Sequence, residues 1–231
     1  MLVLALDTTN RAGSVALVNR GAVVGEIAGD PSRNYGERLP RDLMRVLAEA
    51  AMPLEAVDLL AVAAGPGSFT GLRVGIAAMQ GLAMATGRKI VPVSALDALA
   101  VAGANSEADV PAWAAWIDAQ RGEVFAALYD SSGGRLLTGP SALAPMATLD
   151  EWSGTLAGIT PVFIGDGAIR HEAAIRERFG AGTRILAPPP LAGIIGRLAA
   201  AAPERAVLPH AVVPIYIRRP DVELARSRRA P

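Results

Sequence analysis

One pattern occurs twice in this chain and limits the folds open to it. Residues 2–29, LVLALDTTNRAGSVALVNRGAVVGEIAG, alternate apolar runs with Asn- and Gly-bearing turns and read as three strands at 2–6, 14–18 and 22–28. Residues 112–137, AWAAWIDAQRGEVFAALYDSSGGRLL, restate it with strands at 113–118, 124–129 and 135–137. In each copy the first apolar strand ends in an aspartate, Asp7 and then Asp118, followed by a polar turn and a second apolar strand. Helical patterns follow both meanders. The predicted class is α/β, with two duplicated lobes facing each other across a cleft. A single Rossmann domain is the alternative, but its first strand would run straight into a glycine loop and helix, and here it feeds a hairpin.

The composition turns polar around residues 104–111, which places an N-terminal lobe at 1–103 and a C-terminal lobe at 104–217. Residues 218–231 hold Arg218, Arg219, Arg226, Arg228 and Arg229 and are expected to be a solvated basic tail. Leu39, Leu43, Val46, Leu47 and Ala50 fall at helical spacing, and Pro40 sets that helix to begin near Glu37. A buried strand is predicted at 57–64, a small-residue helix at 71–86, a strand at 89–93 and a helix from 95 to about 103 capped by Ser94. Later come a strand at 161–164, helices at 169–179 and 191–201, and Trp113, Trp116 and Phe125 as core or inter-lobe packing.

Hydrophobic residues make up 52% and charged residues 19%, which excludes a largely disordered chain. The formal net charge is zero, so the overall field offers nucleic acid no attraction, and RNA contact must be local or supplied by a partner. The absence of cysteine removes disulfides, thiolate nucleophiles and Cys-ligated metals. The first ten residues, MLVLALDTTN, lack a basic start, and the apolar run at 54–64 is too short for a bilayer, so a cytoplasmic protein without membrane contact is expected. His171 and His210 lie in unrelated contexts, with no metal-binding spacing and no nucleophile elbow.

The glycine loop GPGSFTG, Gly65 to Gly71, is neither a Walker A loop nor a G-x-G-x-x-G motif. One reading is a strand-to-helix turn with Ser68 or Thr70 as N-cap and Phe69 as a hydrophobic anchor; the other is an anion site of helix-start N–H groups and hydroxyls. Asp7 and Asp118 are open in the same way. Each starts a turn, or the pair holds a metal and nucleotide phosphates in the cleft.

Five segments in order, LALDTTNRAGSVAL, AAGPGSFTGLRVGIAAMQGLA, VPVSALDALA, IDAQRGEVFAALY and VVPIYIRRP, resemble the bacterial TsaB (YeaZ-like) family over almost the whole chain. The resemblance implies the ASKHA fold of actin, hexokinase and the Hsp70 ATPase. It implies a non-catalytic subunit that dimerises with and activates a TsaD-like enzyme, together with a TsaE-like ATPase, in transferring threonylcarbamoyl to adenosine 37 of ANN-decoding tRNAs. No cofactor is expected in the isolated chain; any ATP or ADP is expected at the interface of the complex. A homodimer is expected where the partner is absent. Tyr35-Gly36 and Ala63-Ala64 depart from the family pattern.

The family's interface maps here to the first two helices, with Leu39, Leu43, Met44, Leu47, Phe69, Arg73, Ile76, Met79, Gln80 and Ala83 as expected contacts. Small residues such as Ala77 and Gly81 permit close helix approach, and Met44, Met79 and Met84 adapt to an imperfect surface. Asp7, Thr8, Thr9, Gly67, Ser68, Thr70, Asp118, Gly165 and Gly167 are the expected nucleotide-cleft residues. An ATP-using enzyme acting alone is the alternative function, and a protease a lesser one.

Overall fold

The computed structural model describes residues 1–218. Strand β1 (Leu2–Asp7) is buried along its whole length, because both faces of its sheet are covered. It pairs antiparallel with β2 (Ser14–Asn19), which pairs with the edge strand β3 (Ala22–Ala28), and parallel with β4 (Leu59–Gly65), which pairs with β5 (Ile90–Ser94). The second sheet repeats this plan. Here β6 (Ala112–Asp118) is flanked by antiparallel β7 (Val124–Asp130) and β8 (Leu136–Leu143) on one side, and by parallel β9 (Val162–Ile164) and β10 (Ile185–Leu186) on the other. The duplicated lobes predicted from the paired meanders are thus two sheets of identical strand order.

The layers follow from which faces are apolar. Helices α1 (Tyr35–Glu49) and α2 (Phe69–Thr86) cover the outer face of the first sheet, burying Leu39, Leu43, Val46, Leu47, Ile76 and Met79 against it. Helices α3 (Ala95–Ser106) and α8 (Ala192–Ala201) lie between the sheets in one core that includes Trp113 and Tyr129. Helices α4 (Pro145–Glu151), α5 (Ser153–Leu156), α6 (Asp166–Arg170) and α7 (Glu172–Phe179) close the outer face of the second sheet around Trp116, Trp152 and Phe163. Although α8 falls within residues 104–217, it packs on β1, β2 and β4 of the first sheet, while α3 packs on β6 of the second. Chain order therefore does not assign these two helices to lobes.

Several boundaries differ from the sequence reading. Helix α1 begins at Tyr35, so Pro40 lies inside it; the bond Pro40 cannot donate would go to the carbonyl of Gly36, at an exposed turn. Of the two N-cap candidates, Ser68 caps α2, its Oγ accepting the Gly71 N–H at 3.3 Å. The helix expected at 169–179 is two helices joined at His171, whose φ of −111° and ψ of 27° are non-helical. Strand β8 runs on to Leu143, taking in Gly139 and Pro140 because an edge strand tolerates proline. Trp113 enters the inter-lobe core, whereas Trp116 sits in the outer one, its ring 6.1 Å from that of Trp152 and 5.3 Å from that of Phe163. Arg218 is held rather than solvated, pairing with Glu123. Arg219, Arg226, Arg228 and Arg229 lie outside the described residues.

Candidate functional site

The carboxyl ends of both sets of strands face a cleft of about 840 Å³. The first lobe lines it with Thr9, Arg11 and Tyr35 and with the loop from Pro66 to Leu72, the second with Asp118, Gln120 and Asp166. Residues 215–218 form part of the same wall.

The two matched aspartates do the same work in their lobes. Asp7 Oδ1 accepts the Thr9 N–H at 2.9 Å and the Thr9 hydroxyl at 2.7 Å. Asp118 accepts the Gln120 N–H at 3.0 Å and the Gln120 side-chain amide at 2.8 Å, and pairs with Arg170 at 2.7 Å. Each closes the first turn of its hairpin through residue i+2. Asp7 is 1% exposed, and both of its hydrogen bonds from Thr9 fall on Oδ1. Burial pushes its carboxyl above the usual range, against the pull of the Thr9 hydrogen bonds, and nearby Asp166 adds to the rise. Among the described residues no three His, Cys, Asp or Glu side chains cluster to hold a metal.

The glycines of the loop serve close packing. A Cβ on Gly71 would lie 2.1 Å from the Thr8 carbonyl oxygen, one on Gly75 2.1 Å from Thr8 Oγ1, and one on Gly67 2.6 Å from Thr9 Cβ. The start of α2 is thereby pressed onto the first hairpin, with Thr8 fully buried and its hydroxyl unpartnered. Of the expected cleft residues, Thr9, Gly67, Ser68, Thr70 and Asp118 line the cleft, and Asp7, Thr8, Gly165 and Gly167 do not. Gly165 and Gly167 bring α6 against β6, where a Cβ would meet the Trp116 oxygen at 2.0 Å and the Ile117 carbonyl carbon at 2.8 Å.

Asp166 and Tyr35 are among the lining residues missing from the sequence-derived list. Asp166 Oδ1 accepts the Asp118 N–H at 3.0 Å, and burial raises its carboxyl although backbone N–H groups oppose the rise. Tyr35, in the place where the family pattern differs, donates to the Asn10 carbonyl, and burial pushes its phenol up to about 12. The signal for Asp166 was its place between Gly165 and Gly167, both of which were expected in the cleft; for Tyr35 nothing short of the fold connects it to the first hairpin.

The expected partner contacts divide by burial. Leu39, Leu43, Leu47, Ile76, Met79 and Ala83 are core residues of the first lobe and present no surface to a partner. Periodicity located the apolar stripe of each helix, and that stripe faces its own sheet. Gln80 is half-buried and donates to the Pro209 and Val212 carbonyls at 2.8 and 3.1 Å. Met44, Phe69 and Arg73 remain exposed; the Arg73 guanidinium lies 3.9 Å from the Phe69 ring centroid. The outward stripe of α2 continues from Arg73 through Ala77 and Gly81 to Met84, which is 76% exposed.

Two sheets of identical strand order, with helices between and outside them and a cleft at their carboxyl ends, define an ASKHA-type α/β protein. Component A of (R)-2-hydroxyglutaryl-CoA dehydratase from Acidaminococcus fermentans has this fold, with a TM-score of 0.50 at 12% identity over 87% of this chain and 98% of that one. A family model described as TsaD, tRNA N6-adenosine threonylcarbamoyltransferase, matches residues 15–154. YeaZ from Pseudomonas aeruginosa superposes with a TM-score of 0.76 at 29% identity, covering 93% of this chain and 99% of that one. A Mycobacterium bovis protein is 33% identical over 96% of this chain and 93% of its own length. The TsaB protein of Haemophilus influenzae, named for tRNA threonylcarbamoyladenosine biosynthesis, is 39% identical over 127 residues, 54% of this chain and 52% of that protein. The chain thus spans about half the length of that curated relative. It belongs to the TsaB (YeaZ-like) family.

Proposed function

We propose that this chain is a non-catalytic subunit of the complex that transfers threonylcarbamoyl to adenosine 37 of ANN-decoding tRNAs. It docks a TsaD-like catalytic subunit on the outward faces of α1 and α2 and holds that subunit in an active state. The observation that carries the reading is the exposed face itself. Met44 is 55% and Met84 76% exposed, and a Cβ on Gly81 would meet nothing within 4 Å. A helix from a partner with the same fold can approach such a surface closely, and two flexible thioether side chains fill the remaining gaps. The names of the relatives support the pathway, and zero net charge suits a subunit that reaches tRNA through its partner.

In this reading the work is cytoplasmic, a TsaE-like ATPase completes the assembly, and the same face pairs two copies of the chain when the partner is missing. Among the described residues no helix is long and apolar enough to cross a membrane. The test is threonylcarbamoyl transfer to tRNA by the cognate catalytic subunit and ATPase, with ATP, bicarbonate, threonine and the adenylate-forming enzyme supplied, run with and without this chain. Modification that depends on the chain, with no turnover by the chain alone, is expected; equal modification without it overturns the reading.

A further inference from the structure

The described chain ends in a segment that crosses from one lobe to the other. Val207 leaves the first lobe by pairing with the edge strand β5, its N–H donating to the Ile90 carbonyl at 2.9 Å and its carbonyl accepting the Ile90 N–H at 3.0 Å. The segment then passes over α2, where Gln80 holds two of its carbonyls and Val212 enters the first-lobe core. At the cleft mouth the Ile215 N–H donates to the Ala64 carbonyl at 2.7 Å. The Tyr216 ring lies 5.8 Å from that of Phe69, and its hydroxyl accepts from Arg73 Nε at 3.3 Å. Ile217 packs against the inter-lobe core, and Arg218 reaches the second lobe, pairing with Glu123 in the β6–β7 turn with its guanidinium 5.9 Å from the Phe125 ring centroid.

We propose that residues 212–218 form a latch that binds in the mouth of the cleft and sets the angle between the lobes, with Arg218 as its catch on Glu123. The first-lobe anchors are numerous and partly buried, whereas among the described residues the polar tie to the second lobe is the Arg218–Glu123 ion pair, with the Phe125 ring beside it. The lobes stay joined through the core around α3 and α8, so breaking Arg218 from Glu123 lets the cleft mouth widen about that core while the segment stays on α2. The carboxyl ends of the strands, where α/β folds place ligands, are thus partly filled by the chain's own backbone. The latch is independent of the proposed tRNA role, because its readout is an inter-lobe distance.

The chain contains no cysteine, so a pair introduced at Asn34 and Ile169 labels it uniquely. Both positions are exposed, and they adjoin the cleft residues Tyr35 and Asp166 on opposite lobes. Spin labels on Asn34→Cys/Ile169→Cys report the lobe separation by pulsed electron resonance on the full chain. Arg218→Glu is expected to lengthen and broaden the distance distribution, and adding Glu123→Arg to restore it. Restoration separates a released latch from general unfolding. A distribution unchanged by Arg218→Glu, or one that the charge swap leaves displaced, overturns the proposal.

Discussion

Ser14 Oγ accepts the backbone N–H of Ala192 at 2.9 Å, and the Leu191 N–H at 3.1 Å, so a hydroxyl from β2 closes the start of the last helix. Helix α8 has no capping side chain of its own. Glu26 on β3 takes the next donor, the Gly193 N–H, at 2.7 Å. The cap is therefore tertiary, and it binds α8 to the first sheet.

Ser14 is 1% exposed, so truncating it leaves two donors without an acceptor where water is excluded. Ser14→Ala is expected to cost about 1–3 kcal/mol. Urea unfolding of variant and parent checks it; coincident transitions would mean that the hydroxyl contributes nothing.

Two glycines of α2 are expected to respond in opposite directions to the same change. A Cβ at Gly71 meets the backbone oxygen of Thr8, which cannot rotate away, whereas one at Gly81 meets open space. Gly71→Ala should lower stability by about 1–3 kcal/mol through overpacking. Gly81→Ala should raise it by up to about 1 kcal/mol through helix propensity. Thermal melts at equal concentration decide between this pattern and a uniform effect.

Gly81→Arg tests the docking face. The isolated chain should fold and melt as the parent does, while binding of the cognate catalytic subunit falls by roughly tenfold or more, since one desolvated, badly filled contact costs over a kilocalorie. Unaltered affinity in a titration with the purified subunit would move the interface away from α2.

Burial raises the carboxyls of both Asp7 and Glu26, so each holds its proton more tightly folded than unfolded. Their stabilising effect is complete below the ordinary carboxylate range and is lost as pH rises through the window above it. Asp7→Asn keeps an acceptor oxygen for Thr9 and removes the charge. The variant should be the more stable at neutral pH, its advantage shrinking as pH falls to about 4. Melting temperatures across that span give the sign, and an advantage that grows on acidification would contradict the burial argument.

The sequence by itself determined the duplication, because strand alternation and turn residues are local and each meander carries its own copy. It also determined which residues are apolar, and it narrowed the cap of α2 to Ser68 or Thr70. It could not say which side of α1 and α2 is available. The stripes containing Leu43 and Met79 are apolar and buried, and the open face at Gly81 is recognisable only once the sheet beneath it is in place. Nor could it show that Asp7 and Asp118 each bind the residue two positions on in their own hairpins, since a turn-forming aspartate and a ligand-binding one look alike in the chain. The exchange of α3 and α8 between the lobes, the cap that Ser14 gives to Ala192 and the path of residues 212–218 across the cleft are contacts between distant parts of the chain. Only the tertiary structure decided them, because each depends on where two separately folded sheets come to rest against one core.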